Sequence, residues 1–294
     1  MYISFNQILS YFLIFCKNIQ FFVNQHCYYQ NLAKLVANFT FFLLNISTLI
    51  GKKIISLEET HSTNTYAREL TSSNKQAEGI IVLANYQTDG RGQGANKWLS
   101  EKNANLLMSA IVKPDFLPPG NQFFLSISVC IAIIRSIEEI CGIRAEAKWP
   151  NDILIGGKKV AGILIENSIG GTKINNSIIG IGLNVNQKYF DPSLTHATSL
   201  VSETGSIYFI DEVLNILISN LRIYYQHLKS NQLSTLKKMY ENLMWGNNKS
   251  IVLTRKNGEK IEGTIIGITG NGELLVKSGG SVSAFNHDQA RIKL

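Results

Sequence analysis

Hydrophobic and polar positions fall into three textures along the chain. Residues 1–50 are apolar without a period, and their short runs at 8–16 and 39–44 are broken by Asn, Gln and His. From residue 53 the pattern becomes that of a body built from strands and helices. Short β-branched runs at 53–57, 79–86, 106–112, 145–149, 153–155, 160–166 and 174–185 predict strands. Apolar spacings of three and four predict helices over 65–70, 122–141, 211–229 and 233–245. Ser62-Thr63-Asn64 supplies hydroxyl and amide groups suited to capping the first helix, and Pro118-Pro119-Gly120 and Gly170-Gly171 mark turns. After residue 247 four short strands, at 250–255, 260–268, 273–277 and 282–285, are separated by Asn-Gly and Gly-Gly pairs, which is hairpin chemistry. The expected organisation is an extension over 1–50, a body over 51–246 and a small β module over 247–294.

A bilayer-spanning helix needs about 20 apolar residues, longer than either run in the first segment, and neither a basic leader nor a small-residue cleavage site accompanies them. That segment is expected to be a poorly ordered extension, with an interfacial or packed helix as the alternative, and no membrane partner is expected. It holds eight of the chain's 14 Phe and no Asp, Glu or Arg. Over all 294 residues, 28 Lys and Arg face 21 Asp and Glu, a formal charge of +7. Four of those seven charges sit at Lys17, Lys34, Lys52 and Lys53, which leaves three for the rest. So thin and unclustered a surplus argues against a nucleic-acid partner. A content of 45% hydrophobic and 17% charged residues excludes global disorder. Cys16, Cys27, Cys130 and Cys141 show no CxxC spacing, which argues against a disulfide or metal framework and for a reducing cytoplasm.

The candidate chemistry lies in the body. Gly90-Arg91-Gly92-Gln93-Gly94, closed by Trp98, follows a predicted strand. Bare amides there can face an anion, and Arg91 offers a planar five-donor fork to a phosphate or carboxylate. Its spacing fits neither a P-loop nor a dinucleotide fingerprint, and a plain hairpin accounts for it equally well. In Lys148-Trp149-Pro150-Asn151-Asp152 the proline stops a strand. Asn151 and Asp152 then stand at its end, where they reach a ligand or magnesium ion or form a simple Asx turn. Lys159, ahead of small Ala161 and Gly162, is either an ammonium held over a ligand's charged atoms or a solvated turn lysine. Gly180 and Gly182 alternate on one strand face and leave a flat floor for a ring or acyl chain. Each reading stays open alone, and no nucleophile–base motif is present.

Taken in order, Ser62-Thr63-Asn64, Tyr86-Gln87 with Gly90-Arg91-Gly92 and Trp98, Lys148-Trp149-Pro150-Asn151-Asp152, and the stretches 159–164 and 180–184 closely resemble the biotin–protein ligase family, from about Lys53 to the end of the chain. The resemblance implies an α+β fold. A mixed, largely antiparallel sheet with flanking helices, of the class II synthetase and biotin ligase type, would be followed by an SH3-like β-barrel over 247–294. It implies activation of biotin by ATP with Mg²⁺ to biotinyl-5′-AMP, then transfer of biotin to one lysine of a biotin carboxyl carrier protein, a subunit of a biotin-dependent carboxylase. By position it implies that Ser62, Thr63, Asn64, Gln87, Gly90, Gly162, Gly180 and Gly182 bind biotin, and that Arg91, Gly92 and Gln93 close over biotin and its adenylate. Lys159 falls near the biotin carboxylate and the phosphate, while Trp98, Lys148, Asn151, Asp152 and Asn184 build the adenylate side. Arg91, Lys159 and Asp152 are the implied catalytic groups, with Asp152 orienting or deprotonating the acceptor amine. The alternatives are a lipoate or octanoate ligase or transferase, which shares the general fold, and a non-catalytic biotin-binding module. Many members carry a second Arg where Gln93 stands, so looser retention of the adenylate is implied here. Residues 1–50 do not read as a DNA-binding domain, which implies a ligase without repressor function. Members of the family can dimerise through sheet edges, so a homodimer is an implied assembly.

Overall fold

Two strands with no alternation, β2 (Ile80–Ala84) and β3 (Leu106–Val112), are buried at every position, because both faces of the sheet are covered there. The computed structural model describes residues 50–73 and 76–292, so the expectations for the amino-terminal extension fall outside the described residues. With β1 (Lys53–Leu57), β4 (Glu146–Lys148), β5 (Asp152–Ile155), β6 (Lys158–Gly170) and β7 (Lys173–Leu183), these strands form one sheet in the order β1-β2-β3-β7-β6-β5-β4. Only the β1–β2 pair is parallel. The mixed, largely antiparallel α+β architecture is the expected one.

Helix α2 (Phe123–Cys141) is apolar nearly all round, with 12 of its 19 residues buried, and such a helix is stable only inside a layer. It lies between the sheet and α4 (Ile210–Lys229) and α5 (Leu233–Leu243). Among the described residues the opposite face is covered by α1 (Thr63–Ser73) over β2, β3 and the near part of β7, through a small cluster that includes Ala67, Ile80, Val82, Ile111 and Ile178. Strand periodicity then separates the two faces of β7. Ile179, Ile181 and Leu183 point into the helical core, while Gly180, beneath Asn64 of α1, and Gly182 stand on the other face, which lies uncovered beyond α1. That uncovered part of the sheet is where the cleft forms.

The structure corrects several boundaries. Helix α1 begins at Thr63, so Thr63 and Asn64 lie in its first turn rather than capping it, and their side chains turn into the cleft. Pro150 follows the end of β4, as expected, and the chain turns straight back there. Trp149-Pro150-Asn151 is a hairpin connection, with a cis Trp149–Pro150 bond, across which Lys148 pairs directly with Asp152. Helix α3 (Leu200–Thr204) and strand β12 (Ala290–Ile292) were not expected.

The carboxyl-terminal strands β8 (Ser250–Arg255), β9 (Lys260–Ile268), β10 (Leu274–Ser278), β11 (Ser281–Phe285) and β12 form an antiparallel sheet in the order β11-β10-β9-β8-β12. Its topology is separate, but its core is not. Ile251, Leu253, Ile265, Leu274 and Val276 belong to the same apolar cluster as α2, and the described residues fall within one compact unit. Trp149 Nε1 donates to the Gly272 carbonyl (2.9 Å), and Gly272, at φ +86°, sits against the Phe123 ring, where no side chain would fit. These contacts fix the second sheet beside β4, at one end of the cleft.

Candidate active site

A cleft of about 520 Å³ runs across the open face of the main sheet, within the range typical of small-molecule sites. It gathers the expected site residues Ser62, Thr63, Asn64, Gln87, Arg91, Gly92, Gln93 and Trp98 with Lys148, Asn151, Asp152, Lys159, Gly162, Gly180 and Gly182. Gly90 and Asn184 do not line it. Gly90 is required because any side chain there would strike the Trp98 carbonyl as the loop folds back on itself, with Gly92 N–H donating to Asn96 O (2.8 Å) and Trp98 N–H to Gly90 O (2.8 Å). Asn184 is buried at the end of β7, donating to Thr198 O (2.9 Å) while its own Oδ1 has no partner.

At the β3–β7 end the polar groups are wired together. The Thr63 amide donates to Gln87 Oε1 (2.7 Å), and the Thr63 hydroxyl lies 3.1 Å from that oxygen and 2.7 Å from Ser109 Oγ. Ser109 in turn donates to Asn64 Oδ1 (2.6 Å), while Asn64 Nδ2 donates to Leu164 O (3.2 Å) and Glu166 Oε2 (2.8 Å). Both ends of the Asn64 amide are therefore occupied by the protein. With Gln87 Oε1 taken by Thr63, the Gln87 amide nitrogen and the Ser62 hydroxyl are the groups free to meet a ligand.

The glycine floor differs from expectation in what it accommodates. A Cβ at Gly180 would stand 2.9 Å from Asn64 Cγ, and one at Gly182 would stand 2.7 Å from Trp98 Cζ2. Gly162 is likewise covered by the Trp98 ring, 2.8 Å from Cζ3 to where a Cβ would be. The glycines make room for Asn64 and Trp98, and these two side chains form the surface that faces a ligand.

Lys159 reaches the cleft through a β-bulge. Leu154 pairs with Lys159 and Ile153 with Ala161, which leaves Val160 unpaired. In a regular strand Lys159 and Gly162 would point to opposite faces, but the extra residue returns Lys159 to the open face beside Gly162. Its ammonium lies 5.5 Å from the Trp98 ring centroid and 2.6 Å from Asp152 Oδ1. Lys148 stands 3.9 Å from the same carboxylate. Burial pushes the Lys148 ammonium below its ordinary pKa, the nearby Lys159 adds to this, and Asp152 partly offsets both. Arg91 pairs with Glu166 Oε1 (3.0 Å) at the other end of the cleft.

Ser109 and Glu166 were not singled out in the sequence. Alternation along β6 from Gly162 to Leu164 to Glu166 was the available signal for the second. The cleft is also lined by Lys256, His287, Asp288 and Arg291 from the carboxyl-terminal sheet, which sequence spacing gave no means to place. Among the described residues no three His, Cys, Asp or Glu side chains come together as a metal cage. Asp152 is already engaged by Lys159, and Asn151 Nδ2 donates to Ile163 O (2.8 Å). The donor set does not fit a resident metal ion; a magnesium ion carried on a nucleotide would rest mainly on phosphate oxygens. No helix among the described residues is long and apolar enough to cross a membrane.

Comparison with known proteins finds relatives over both sheets. The Biotin/lipoate A/B protein ligase family matches residues 56–184, and the Biotin protein ligase C terminal domain matches residues 248–286. The bifunctional ligase/repressor BirA of Bacillus subtilis is 32% identical over 233 residues, 78% of this chain and 71% of its own length. A biotin–[acetyl-CoA-carboxylase] ligase of Mycobacterium tuberculosis is 30% identical over 147 residues, 48% of this chain and 53% of its own length. Among solved structures, the biotin protein ligase from Aquifex aeolicus in complex with biotin and ATP superimposes with a TM-score of 0.71 at 28% identity, covering 82% of this chain and 99% of that one.

Proposed function

The chain belongs to the biotin/lipoate A/B protein ligase family, and on that premise we propose that its cleft joins biotin to ATP and passes the biotin to a lysine of a carrier protein. The observation that carries this reading is Lys159, which the bulge places between the hydrogen-bonding end of the cleft and Asp152. The urea carbonyl of biotin receives the Gln87 amide N–H, and the Ser62 hydroxyl serves a urea N–H, both left free by the network behind them. The side chain of biotin then runs along the Trp98 ring, and its carboxylate meets Lys159. An ammonium has three donors; Asp152 takes one, and the other two serve the biotin carboxylate and the α-phosphate.

Attack of that carboxylate on the α-phosphorus forms the mixed anhydride and expels pyrophosphate. Two anions meet in this step, so Lys159 and Arg91 lower the barrier by charge and positioning. Trp98 holds the adenylate side: its buried Nε1 is unpartnered, a state that costs about 1–3 kcal/mol unless a ligand or water completes it. In the second step the carrier lysine attacks the acyl carbon and AMP leaves. Asp152 orients that amine and accepts its proton once Lys159 has turned to the phosphate. ATP enters as its magnesium complex, the carrier is the biotin-accepting subunit of a carboxylase, and the reaction takes place in the cytoplasm, where Cys130 and Cys141 stay reduced as free thiols.

Incubation with biotin, MgATP and an isolated carrier domain, read by mass spectrometry, tests this. A single biotin adduct on one carrier lysine is expected. Pyrophosphate exchange driven by lipoate and not by biotin would replace this reading with a lipoate ligase.

A further inference from the structure

Glu166 does not itself line the cleft, yet its carboxylate ties its own strand, β6, to α1 and to the glycine loop. It accepts from Asn64 Nδ2 (2.8 Å) in the first turn of α1, from Arg68 Nη2 (2.5 Å) one turn further on, and from Arg91 Nη1 (3.0 and 3.2 Å) in the glycine loop. Two guanidinium groups and an amide fill its acceptor sites, so it has no capacity left for substrate.

Its charge also decides which way the neighbouring chain of hydrogen bonds points. A carboxylate and the Leu164 carbonyl only accept, so Asn64 must turn its NH₂ to them and its oxygen to Ser109. The Ser109 proton is thereby committed to Asn64. Ser109 Oγ also lies 2.7 Å from Thr63 Oγ1, and the Thr63 amide and hydroxyl both donate to Gln87 Oε1 (2.7 and 3.1 Å). Gln87 therefore turns its N–H to the cleft as a donor, beside the Ser62 hydroxyl as an acceptor. A donor next to an acceptor is the complement of a cyclic urea, whose C=O adjoins an N–H.

We propose that Glu166 is a positioning residue for biotin: through Asn64 and Ser109 it holds Thr63 against Gln87 Oε1, so that the Gln87 N–H stays turned to the ligand, and through Arg91 it anchors the glycine loop over the same end of the cleft. The inference rests on the reading of Gln87 and Ser62 as the seat of the urea. Preorganisation of this kind acts on biotin binding and leaves the nucleotide end, built from Trp98, Lys159 and Asp152, untouched.

The test uses the full chain and biotin-dependent ATP–pyrophosphate exchange. Glu166→Gln keeps the shape but removes the charge that holds Asn64, leaving the Leu164 carbonyl alone to orient it, and Arg68 and Arg91 lose their ion pairs. Biotin KM is expected to rise about 10-fold, equivalent to ~1.4 kcal/mol, with ATP KM changed less than about 2-fold. Glu166→Asp should recover part of the loss. Adding Ser109→Ala to Glu166→Gln should raise biotin KM by less than the product of the two single effects. A Glu166→Gln enzyme with unchanged biotin KM, while Gln87→Ala raises it, overturns the role of Glu166 alone. If Gln87→Ala also leaves biotin KM unchanged, the assignment of the urea seat falls with it. Equal rises in biotin and ATP KM would mark Glu166 as general scaffolding and also refute the proposal.

Discussion

Gly180→Ala puts the hydrogen-bonding end of the cleft under the most direct strain. The added methyl would lie 2.9 Å from Asn64 Cγ and 3.1 Å from Nδ2, and closer still to Oδ1, so the amide must move. It cannot move and keep its bonds to Ser109, Leu164 and Glu166. A neutral hydrogen bond contributes about 1 kcal/mol net and one to a charged group about 1.5–3, so losing two neutral bonds and the one to Glu166 costs about 3.5–5 kcal/mol. Stiffening the unfolded chain by Gly→Ala returns about 0.4–1 kcal/mol. The net expectation is about 2.5–4.5 kcal/mol, or a fall in Tm of about 5–18 °C for a body of this size. Gly120→Ala is the control, because a methyl there meets open space at an ordinary φ. Thermal melts give the stability and ATP–pyrophosphate exchange gives biotin KM, which should rise in Gly180→Ala and stay put in Gly120→Ala. A Gly180→Ala protein melting within about 1 °C of the parent with normal biotin KM would show that the Asn64 network does not matter.

Gln93→Arg adds a cation to the loop that covers the adenylate and should slow release of biotinyl-5′-AMP several-fold; filter-binding of preformed adenylate measures it, and an unchanged off-rate refutes it. Lys148 should lose its proton below the ordinary lysine pKa, because burial and Lys159 oppose its charge. The unfolded chain then binds more protons than the folded one between the depressed pKa and about 10.5, so this group makes stability rise with pH across that window. NMR of ¹³C-methylated lysines checks it, and titration at or above 10.5 would contradict the assignment. Gly272→Ala should loosen the second sheet, since a side chain there overlaps the Phe123 ring and φ is +86°; a drop of about 2 kcal/mol in unfolding free energy is expected by denaturant titration, and no change would show that the sheet is held by other contacts.

Much of the fold was legible because strands β2, β3 and β7 carry long β-branched runs and α2 is apolar throughout. What escaped has specific causes. The role of Lys159 depends on one unpaired residue, Val160, and a bulge leaves no mark in hydrophobic alternation. Pro150 marked the end of β4, but not that the chain turns back there and pairs Lys148 with Asp152, which brings both charges onto one face. Ser109 lies inside an otherwise apolar strand and becomes meaningful only once α1 places Thr63 and Asn64 over it. Two glycines that suggested a bare floor proved to be the clearance for Asn64 and Trp98. Asp288 and Arg291 reach the cleft from a sheet more than a hundred residues away from Lys159, where no local pattern could connect them.

The charges of the cleft follow from the same pairings. Arg91 is matched by Glu166, Lys159 by Asp152, Lys97 by Asp89 and Lys256 by Asp288. At these four positions a ligand phosphate would compete with an internal carboxylate, while Arg291, which also lines the cleft, forms no ion pair among the described residues. The exposed pairs contribute little to stability, since ion pairs in water are worth at most about 1 kcal/mol. Asp152 is the exception: it is more enclosed than the others, and beside it Lys148 carries a charge that burial disfavours. On the proposed reading, when Lys159 turns toward a phosphate, Asp152 is left with Lys148 at 3.9 Å. The oxygen that had held Lys159 is then open to the acceptor amine, so the first step would prepare the group that serves the second, and the order of adenylation before transfer would follow from a single lysine with two partners.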